Sequence, residues 1–228
     1  MAGPLSTEGF ATESQGLPSR DVEGLLTSFA AEVPEAQTER VAGIRRLLHR
    51  SQTVHQLSTG GVLGEIAHHH LGPKAFPVRA ILFDKSVNAN WVVPFHQDVT
   101  IPVQKRQEAT GFGPWSVKDG VPHVQPPSAV LEGMLTLRLH LDDVDETNGP
   151  LLVFPGSHSS GILAESRVFA LQRSAEPFPC LARRGDILLM RPLLVHGSHK
   201  ASAPSRRRVL HVEFAARPLP ASLAWGRS

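Results

Sequence analysis

The stretch MLTLRLHLDDV, residues 134–144, alternates between apolar and polar side chains at every second position. Its leucines share one face of an extended chain: Leu135, Leu137, Leu139 and Leu141. Its polar residues share the other face: Thr136, Arg138, His140 and Asp142. Because successive side chains of a strand point to opposite faces, this pattern predicts a β-strand that is apolar on one side and polar on the other.

Five further segments have residue patterns that are typical of β-strands. They are PVRAILFDK (77–85), NWVVPFHQDVTIPV (90–103), GDILLM (185–190), LLVHGS (193–198) and RRRVLHVEF (206–214). An Asn-Gly pair at 148–149 is a typical hairpin turn between two strands. The second half of the chain therefore reads as a run of antiparallel strands.

Helical patterns come earlier in the chain. Apolar residues at helical spacing predict an amphipathic helix from about residue 36 to 50, formed around Val41, Ile44, Leu47 and Leu48. A second, short helix is predicted over 60–70. Residues 1–18 read as a loose, flexible segment, and the Gly- and Pro-rich stretch 104–130 as a loop or lid. Helices followed by strands indicate a mainly β (α+β) chain, 1–228, that forms one domain with a β-sandwich or barrel core.

Composition excludes several classes of protein. The chain has 228 residues, and its formal charge of +2 is too small to indicate nucleic acid as the main partner. Cys180 is the single cysteine, which rules out a disulfide within the chain and favours a reducing, cytoplasmic setting. We see no signal peptide and no apolar run long enough to cross a membrane, so no membrane partner is expected.

The polar triplet inside NWVVPFHQDVTIPV points to a metal. On a strand, His96 and Asp98 share a face and Gln97 points away. An imidazole and a carboxylate so placed can occupy two neighbouring positions on a metal ion, and one more histidine completes the 2-His-1-carboxylate set of non-haem Fe(II) oxygenases. His140 and Asp142 have the same spacing, but less chain follows them in which a distant histidine could lie.

The late segment RPLLVHGSHKASAPSRRRVLHVEF offers both a third ligand and an anion site. His196 ends an apolar strand, and Ser198 shares its phase. Leu210, Val212 and Phe214 form an apolar face that Arg206 and Arg208 share, so Arg207 faces the opposite way, into the barrel. A guanidinium there can bind a carboxylate through two hydrogen bonds. We interpret Arg206 and Arg208 as a solvated basic patch.

Four segments together resemble the phytanoyl-CoA dioxygenase family of Fe(II)/2-oxoglutarate-dependent oxygenases. They are FHQD (95–98), LDDVDETNGPLLVFPGSH (141–158), GDILLMRPLLVHGS (185–198) and RRRVLHVEF (206–214), and the similarity runs from about 77 to 215. The resemblance implies a double-stranded β-helix (a cupin-like jelly roll) over 77–215, with N-terminal helices from 19–76 packed on its major sheet.

The same resemblance implies the site. His96, Asp98 and His196 are expected to bind Fe(II), which also settles the choice against His140. Arg207, assisted by Ser198, is expected to bind the distal carboxylate of 2-oxoglutarate, with Lys85 close by. Further candidates for the substrate cavity are Arg138, Thr136, His140, Gln97 and Trp115. Arg138 stands where relatives often carry a tryptophan, so a contact with a substrate anion is the expectation there.

The implied reaction consumes O₂ and 2-oxoglutarate, hydroxylates a small molecule of anionic or polar character, and releases succinate and CO₂. Asp98 favours hydroxylation over halogenation, because halogenating relatives have a small residue in its place. Two other functions remain open at this stage. One is a metal-dependent lyase, isomerase or hydrolase on a cupin-like fold, and the other is a non-catalytic sensor that binds metal or 2-oxoglutarate. The sequence does not distinguish a monomer from a homodimer.

Overall fold

The computed structural model describes residues 5–38, 42–220 and 223–227. The helices are α1 (Ser19–Glu32), α2 (Leu47–Arg50), α3 (Gln52–Thr59), α4 (Val62–Leu71), α5 (Ser128–Glu132) and α6 (Glu165–Ser174). The strands are β1 (Phe10–Glu13), β2 (Gly43–Ile44), β3 (Phe76–Lys85), β4 (Val93–His96), β5 (Ile101–Pro102), β6 (Trp115–Lys118), β7 (Val121–Val124), β8 (Leu135–His140), β9 (Leu151–Val153), β10 (Phe178–Cys180), β11 (Ile187–Met190), β12 (His196–Ser198) and β13 (Arg207–Ala215). Short 3₁₀ helices span Pro34–Gln37 and Ser157–Ser160.

Two antiparallel sheets form a jelly roll. The major sheet has six strands in the order β1-β11-β8-β13-β3-β2, and the minor sheet has four in the order β10-β9-β12-β4. A separate three-stranded sheet, β5-β7-β6, flanks them. In both sheets, strands from early and late parts of the chain lie next to each other. Each sheet is therefore held together by hydrogen bonds between residues that are far apart in sequence. This is the mainly β architecture that the sequence predicts.

The leucines of β8 show why the helices cover one face of the major sheet. Leu135, Leu137 and Leu139 are fully buried and belong to one apolar core together with the apolar residues of α1, α3 and α4. Leu210, Val212 and Phe214 of β13 join the same core. Burying these side chains removes apolar surface from water and fixes the register of both strands, since a shift by one residue would reverse every side chain.

The N-terminal part of the chain differs from the prediction. The expected helix over 36–50 is wrong: a 3₁₀ turn ends at Gln37, Gly43–Ile44 pairs with β3, and only Leu47–Arg50 is α-helical. Arg46 has a left-handed backbone conformation (φ 62°), which interrupts any continuous helix. Val41 lies outside the described residues. The principal N-terminal helix is α1, and the predicted helix over 60–70 is confirmed as α4.

Residues near the N-terminus are also more ordered than predicted. The segment 1–18 was expected to be loose, yet β1 pairs with β11 along its whole length, with Phe10 opposite Met190. Phe10 is buried among apolar residues between the sheets. A strand whose partner lies so far along the chain cannot be recognised from local sequence.

Two predicted connections have a different form in the structure. The stretch 104–130, expected to be a loop or lid, contains the hairpin β6-β7 and the helix α5. Asn148 and Gly149 do form a turn, in which the Asn148 side-chain Nδ2 donates to the Asp143 carbonyl oxygen. That turn joins β8 of the major sheet to β9 of the minor sheet, so it is a crossing between sheets rather than a hairpin. Within the described residues, no helix combines the length and apolar character needed to cross a membrane.

Candidate metal centre

His96, Asp98 and His196 converge at the edge of the minor sheet. His96 is the last residue of β4, His196 is the first of β12, and the two are directly paired, with ring centroids 4.5 Å apart. Asp98 lies beyond β4, where its backbone N–H donates to the Pro192 carbonyl oxygen at 2.9 Å. The prediction of one continuous strand through this triplet is therefore wrong, and the carboxylate reaches the two imidazoles because the strand ends at His96.

The ligand atoms of this triad face one another. His96 Nε2 lies 3.9 Å from Asp98 Oδ1, and His196 Nε2 lies 3.6 Å from Asp98 Oδ2. Two atoms bound to one metal at about 2.1 Å are at most about 4.2 Å apart, and both separations satisfy this limit. One nitrogen or oxygen from each residue falls within 4.8 Å of the others.

Backbone carbonyls set the orientation of both imidazoles. His96 Nδ1 lies 2.7 Å from the Pro94 carbonyl oxygen, and His196 Nδ1 lies 2.8 Å from the Leu194 carbonyl oxygen. In a neutral imidazole, Nδ1–H donates to the carbonyl and Nε2 keeps its lone pair for the site. Each histidine thus presents a lone pair toward the carboxylate, as metal ligation requires.

Protonation states favour ligation as well. Burial lowers the pKa of His196 to about 4, although the Asp98 carboxylate raises it, so the imidazole is neutral at pH 7. Burial alone would raise the pKa of Asp98, but His196, in the acid range where it is protonated, and the Arg79 guanidinium hold it well below its ordinary value. Asp98 Oδ2 is buried and accepts no hydrogen bond from any described residue. A cation is the partner that such an oxygen lacks, so this donor set fits a divalent metal ion.

A polar network lies on the inner face of the major sheet, beneath the triad. Arg79 Nε donates to Glu213 Oε1 at 2.8 Å, and His211 Nε2 lies 3.1 Å from the same oxygen. Arg138 Nη1 lies 3.0 Å from His211 Nδ1. Because a guanidinium only donates, His211 Nδ1 accepts, and the imidazole must carry its proton on Nε2 and donate to Glu213.

This network contains a second group of potential ligand atoms, from Asp98, His211 and Glu213. Both nitrogens of His211 are already used, and Glu213 is neutralised by Arg79. The network therefore supports the triad rather than binding an ion itself. Sequence reasoning missed Arg79 and Glu213, although a signal was present: each is an ionisable residue with apolar neighbours on both sides in its strand.

The triad opens into a cavity of about 360 Å³ between the two sheets. Apolar side chains form much of its wall, namely Ile81, Phe83, Trp91, Val93 and Leu151. Charged and polar side chains form much of the rest, among them Arg79, Arg138 and Arg207 from the major sheet. The volume is at the small end of the range for ligand pockets, so the cavity suits small molecules.

Arg207 lines the same cavity from the inner face of the major sheet, the face that its strand phase predicts. It is only 4% exposed, and it forms neither an ion pair nor a hydrogen bond with any residue that the structure describes. Burial, and then the nearby charge of Arg138, lowers its pKa to about 9, so it remains a cation at pH 7. A buried cation without a counter-charge is costly, so the cavity is suited to receive an anion here.

Ser198 and Lys85 lie close to Arg207. Lys85 is opposite Arg207 in the register of β3 and β13. Its Nζ donates to Ser198 Oγ at 2.9 Å and to the His199 carbonyl oxygen at 2.7 Å. Burial, followed by the charges of Arg207 and Arg138, lowers the pKa of Lys85 to about 7. Ser198 lines the cavity, and Lys85 lies behind it.

The neighbouring arginines are held by acids. Arg206 Nη2 pairs with Asp84 Oδ2 at 2.8 Å, and Arg208 Nη2 pairs with Asp142 Oδ1 at 2.6 Å. The interpretation of Arg206 and Arg208 as a solvated patch is therefore wrong, since both side chains are partly buried in ion pairs. Asp142, the acid of the second His-x-Asp pair, serves as the partner of Arg208 and lies away from the triad.

Four candidates for the substrate cavity do not line it. The Gln97 side chain links two loops by hydrogen bonds: its Nε2 donates to the Gly161 and Leu193 carbonyl oxygens, and its Oε1 accepts from Leu163 N–H. His140 is buried, with Nδ1 facing the Asp186 carbonyl oxygen at 3.2 Å. Trp115 packs against the core beside the small sheet, and Thr136 is fully buried opposite Glu213. Strand parity predicted the face of Thr136 and His140 but not their depth along the barrel. The same parity predicted that Gln97 points away from the triad, and Trp115 was expected in the 104–130 loop.

Comparison with known proteins assigns the chain to a family. The family model described as Phytanoyl-CoA dioxygenase (PhyH) matches residues 19–209. The chain belongs to the phytanoyl-CoA dioxygenase family. Among curated proteins, no significant sequence match to this family member is found.

Solved structures share the fold of this phytanoyl-CoA dioxygenase family member. EctD from S. alaskensis, in its apoform, is 18% identical with a TM-score of 0.72 over 98% of this chain and 79% of that one. The epimerase SnoN, solved with Fe³⁺, alpha-ketoglutarate and nogalamycin RO, is 16% identical with a TM-score of 0.68 over 97% and 83%. HygX from Streptomyces hygroscopicus, solved with nickel and 2-oxoglutarate, is 17% identical with a TM-score of 0.65 over 95% and 88%.

Proposed function

We propose that this protein is a non-haem Fe(II)- and 2-oxoglutarate-dependent dioxygenase that hydroxylates a small molecule, with His96, Asp98 and His196 as its metal ligands. Two neutral imidazoles and one carboxylate are the donor set of this class, and they leave further coordination positions open. SnoN and HygX were solved with iron or nickel and with 2-oxoglutarate, which supports the same cofactors here.

The unpaired guanidinium of Arg207 carries the proposal. A metal triad alone would suit many reactions, but a buried arginine without a counter-ion, in the same cavity, calls for an anionic ligand. 2-Oxoglutarate has a free carboxylate at the end opposite to its 2-oxo acid. The cavity thus offers a position for each end of that molecule, the triad at one and Arg207 at the other.

When bound, Fe(II) and 2-oxoglutarate supply the oxidation of a C–H bond by O₂, and the co-substrate is converted to succinate and CO₂. The residues of this chain bind and orient the participants. Arg207 binds the distal carboxylate, and Ser198 donates its hydroxyl hydrogen to the same group. Lys85 donates to Ser198 Oγ and so directs that hydroxyl hydrogen away from itself and toward the ligand. Phe83, Trp91 and Val93 keep bulk water from the reacting end.

Hydroxylation is the finer part of the proposal. Asp98 supplies a third protein ligand, which supports hydroxylation over halogenation. Because an epimerase also has this fold, the product has to be identified directly. A hydroxylase forms one alcohol for each succinate released, and an epimerase or ring-forming enzyme forms a product without added oxygen.

Two other functions predict different behaviour. A metal-dependent lyase, isomerase or hydrolase has no need of 2-oxoglutarate, so Arg207 would have no obligatory partner. A sensor that binds metal and 2-oxoglutarate without turnover would release no succinate under any condition. The buried and unpaired state of Arg207 favours the oxygenase over the first of these, and intact metal ligands favour it over the second.

The test is succinate release. Protein with Fe(II), O₂ and 2-oxoglutarate is expected to form succinate slowly without a primary substrate, and faster when a suitable small molecule is added. Arg207→Gln should raise the 2-oxoglutarate concentration needed for half-maximal rate by about 100-fold, which corresponds to about 2.7 kcal/mol. Arg208→Gln is the matched control and should leave that concentration unchanged. No succinate from wild-type protein across a broad set of substrates would favour the sensor.

A further inference from the structure

Arg138 is a second buried guanidinium in the cavity, and it forms no ion pair with any residue that the structure describes. Its side chain lines the cavity wall and is only 5% exposed. Its Nη1 donates to His211 Nδ1, and its Nε has no hydrogen-bond partner within the described part of the chain. The guanidinium carbon lies 5.7 Å from the centre of the Phe83 ring. A ring face and one imidazole nitrogen are neutral partners, and neither cancels a full charge.

The sum of the charges in the cavity indicates that the metal ion and 2-oxoglutarate do not neutralise every buried arginine. A divalent ion and the two carboxylates of 2-oxoglutarate bring no net charge into the cavity. Glu213 cancels Arg79, and Asp98 can balance only one of the two remaining buried guanidiniums, Arg138 and Arg207. One buried positive charge is therefore left for a further anion. Lys85 can lose its proton because its pKa is about 7, whereas an arginine keeps its charge under all ordinary conditions.

Position separates the two arginines. Arg207 begins β13 and is opposite Lys85 of β3. Arg138 belongs to β8, on the other side of β13, and is opposite His211, four residues along that strand from Arg207. Arg138 therefore enters the cavity beside His211 of the polar network, and Arg207 enters it four residues away along β13, beside Lys85.

We propose that Arg138 binds a carboxylate of the primary substrate, so that the substrate is a small carboxylic acid held next to the metal centre while 2-oxoglutarate is bound. This inference rests on the proposed function, since it takes Arg207 as the site of the co-substrate. The apolar wall formed by Ile81, Phe83 and Leu151 suits a substrate whose remaining body is apolar. The limited cavity volume suits a compact one.

Benzoate and benzamide provide a probe pair, because they have the same shape and differ in charge. Wild-type protein is first loaded with Ni(II) and saturating 2-oxoglutarate, and binding of each probe is followed by ligand-observed NMR together with retention of 2-oxoglutarate. Benzoate is expected to bind at least about tenfold tighter than benzamide. Arg138→Gln should abolish this preference, and its affinity for 2-oxoglutarate should stay within about twofold of wild type.

Two further variants make the result specific. Arg138→Lys keeps the charge and should retain part of the preference for benzoate, which shows that the fold is intact. Arg45→Gln removes an arginine at the cavity mouth that lies 3.5 Å from Asp119, and should retain the full preference. Thermal melting of each variant checks that the protein is folded.

Several outcomes would overturn the inference. They are equal affinity for the two probes, a preference that survives Arg138→Gln, benzoate that binds only by displacing 2-oxoglutarate, and loss of 2-oxoglutarate affinity in Arg138→Gln comparable to that in Arg207→Gln. Failure of wild-type protein to bind 2-oxoglutarate would contradict the proposed function and this inference with it. That failure is seen before any probe is added, so the two results are distinct.

Discussion

Lys85 and Arg207 face each other across β3 and β13, two cations in register on the inner face of the major sheet. Like charges opposite each other on neighbouring strands destabilise a sheet. Both side chains are almost fully buried, and neither has an acidic partner among the residues described by the structure. The arrangement is therefore costly as a purely structural feature, and under the proposed function an anion bound to Arg207 in the cavity would offset that cost.

Removal of the unpaired charge should stabilise the ligand-free protein. Arg207→Leu replaces a buried cation with an apolar side chain, and we expect the free energy of unfolding to rise by about 1 kcal/mol. Arg208→Leu is the matched control, because Arg208 pairs with Asp142, and should lower it by about 1 kcal/mol. Urea denaturation measures both. Destabilisation by both variants to the same extent would mean that Arg207 has a structural partner.

Lys85 should make stability depend on pH. Its pKa is about 7 in the folded protein and near its ordinary value of 10.5 in the unfolded chain. Between these values the unfolded chain binds more protons, so the free energy of unfolding rises as pH increases from 7 to 10.5, and below 7 the penalty is fully present. Lys85→Met should remove this rise, which we expect to be roughly 1–3 kcal/mol.

The control for that measurement is Lys105→Met, at an exposed lysine. Its pH profile should follow the wild-type profile. Urea denaturation at pH 7 and pH 9.5 provides the comparison for all three proteins. A Lys85→Met profile parallel to that of wild type would show that Lys85 keeps an ordinary proton affinity in the fold.

The two His-x-Asp pairs should differ in metal binding. Asp98→Asn should weaken Ni(II) binding by at least about 100-fold, since it removes a charged ligand at the centre of the triad. Asp142→Asn should leave Ni(II) affinity unchanged and lower the melting temperature, because Arg208 loses its partner. Calorimetric titration measures the affinities. Equal loss of Ni(II) binding in the two variants would mean that the metal does not bind at the triad alone.

Glu213 should matter for the fold more than for the metal. Glu213→Gln leaves the buried Arg79 with only the more distant Asp98, 4.0 Å away, as an acidic partner among the described residues, and we expect a loss of roughly 3–5 kcal/mol in the free energy of unfolding. The double variant Arg79→Met, Glu213→Leu removes both charges and should recover much of that loss. Urea denaturation curves of the two variants and wild type measure these changes in the free energy of unfolding. A double variant as unstable as Glu213→Gln would show that the pair is not the source of the effect.

The strands of the jelly roll were predictable because their alternation is strong. β8 and β13 have leucines, valine and phenylalanine on one face, and that phase placed Arg207 in the cavity and Arg206 outside it. β1 was not predictable, because its partner β11 is supplied by distant sequence. The segment around Ile44 has apolar spacing that suits a helix, but pairing with β3 overrides it.

The site was predictable in outline and less so in detail. The spacing of His96 and Asp98 indicated that they converge, although they do so across the end of a strand. Arg79 and Glu213 were missed because the pair forms only when β3 and β13 are paired. Gln97 was predicted to line the cavity because it is a polar residue beside the triad. In the structure its amide binds three backbone groups instead, and no local sequence pattern indicates those contacts.

The central claim is that one cavity binds Fe(II) at the triad and 2-oxoglutarate between the metal and Arg207. Anaerobic protein with Fe(II) should develop a weak visible charge-transfer band when 2-oxoglutarate is added. We predict that this band appears with wild type and Arg208→Gln at the same 2-oxoglutarate concentration and requires about 100-fold more in Arg207→Gln. No band from wild type at saturating 2-oxoglutarate, or an equal requirement in all three proteins, would contradict the claim.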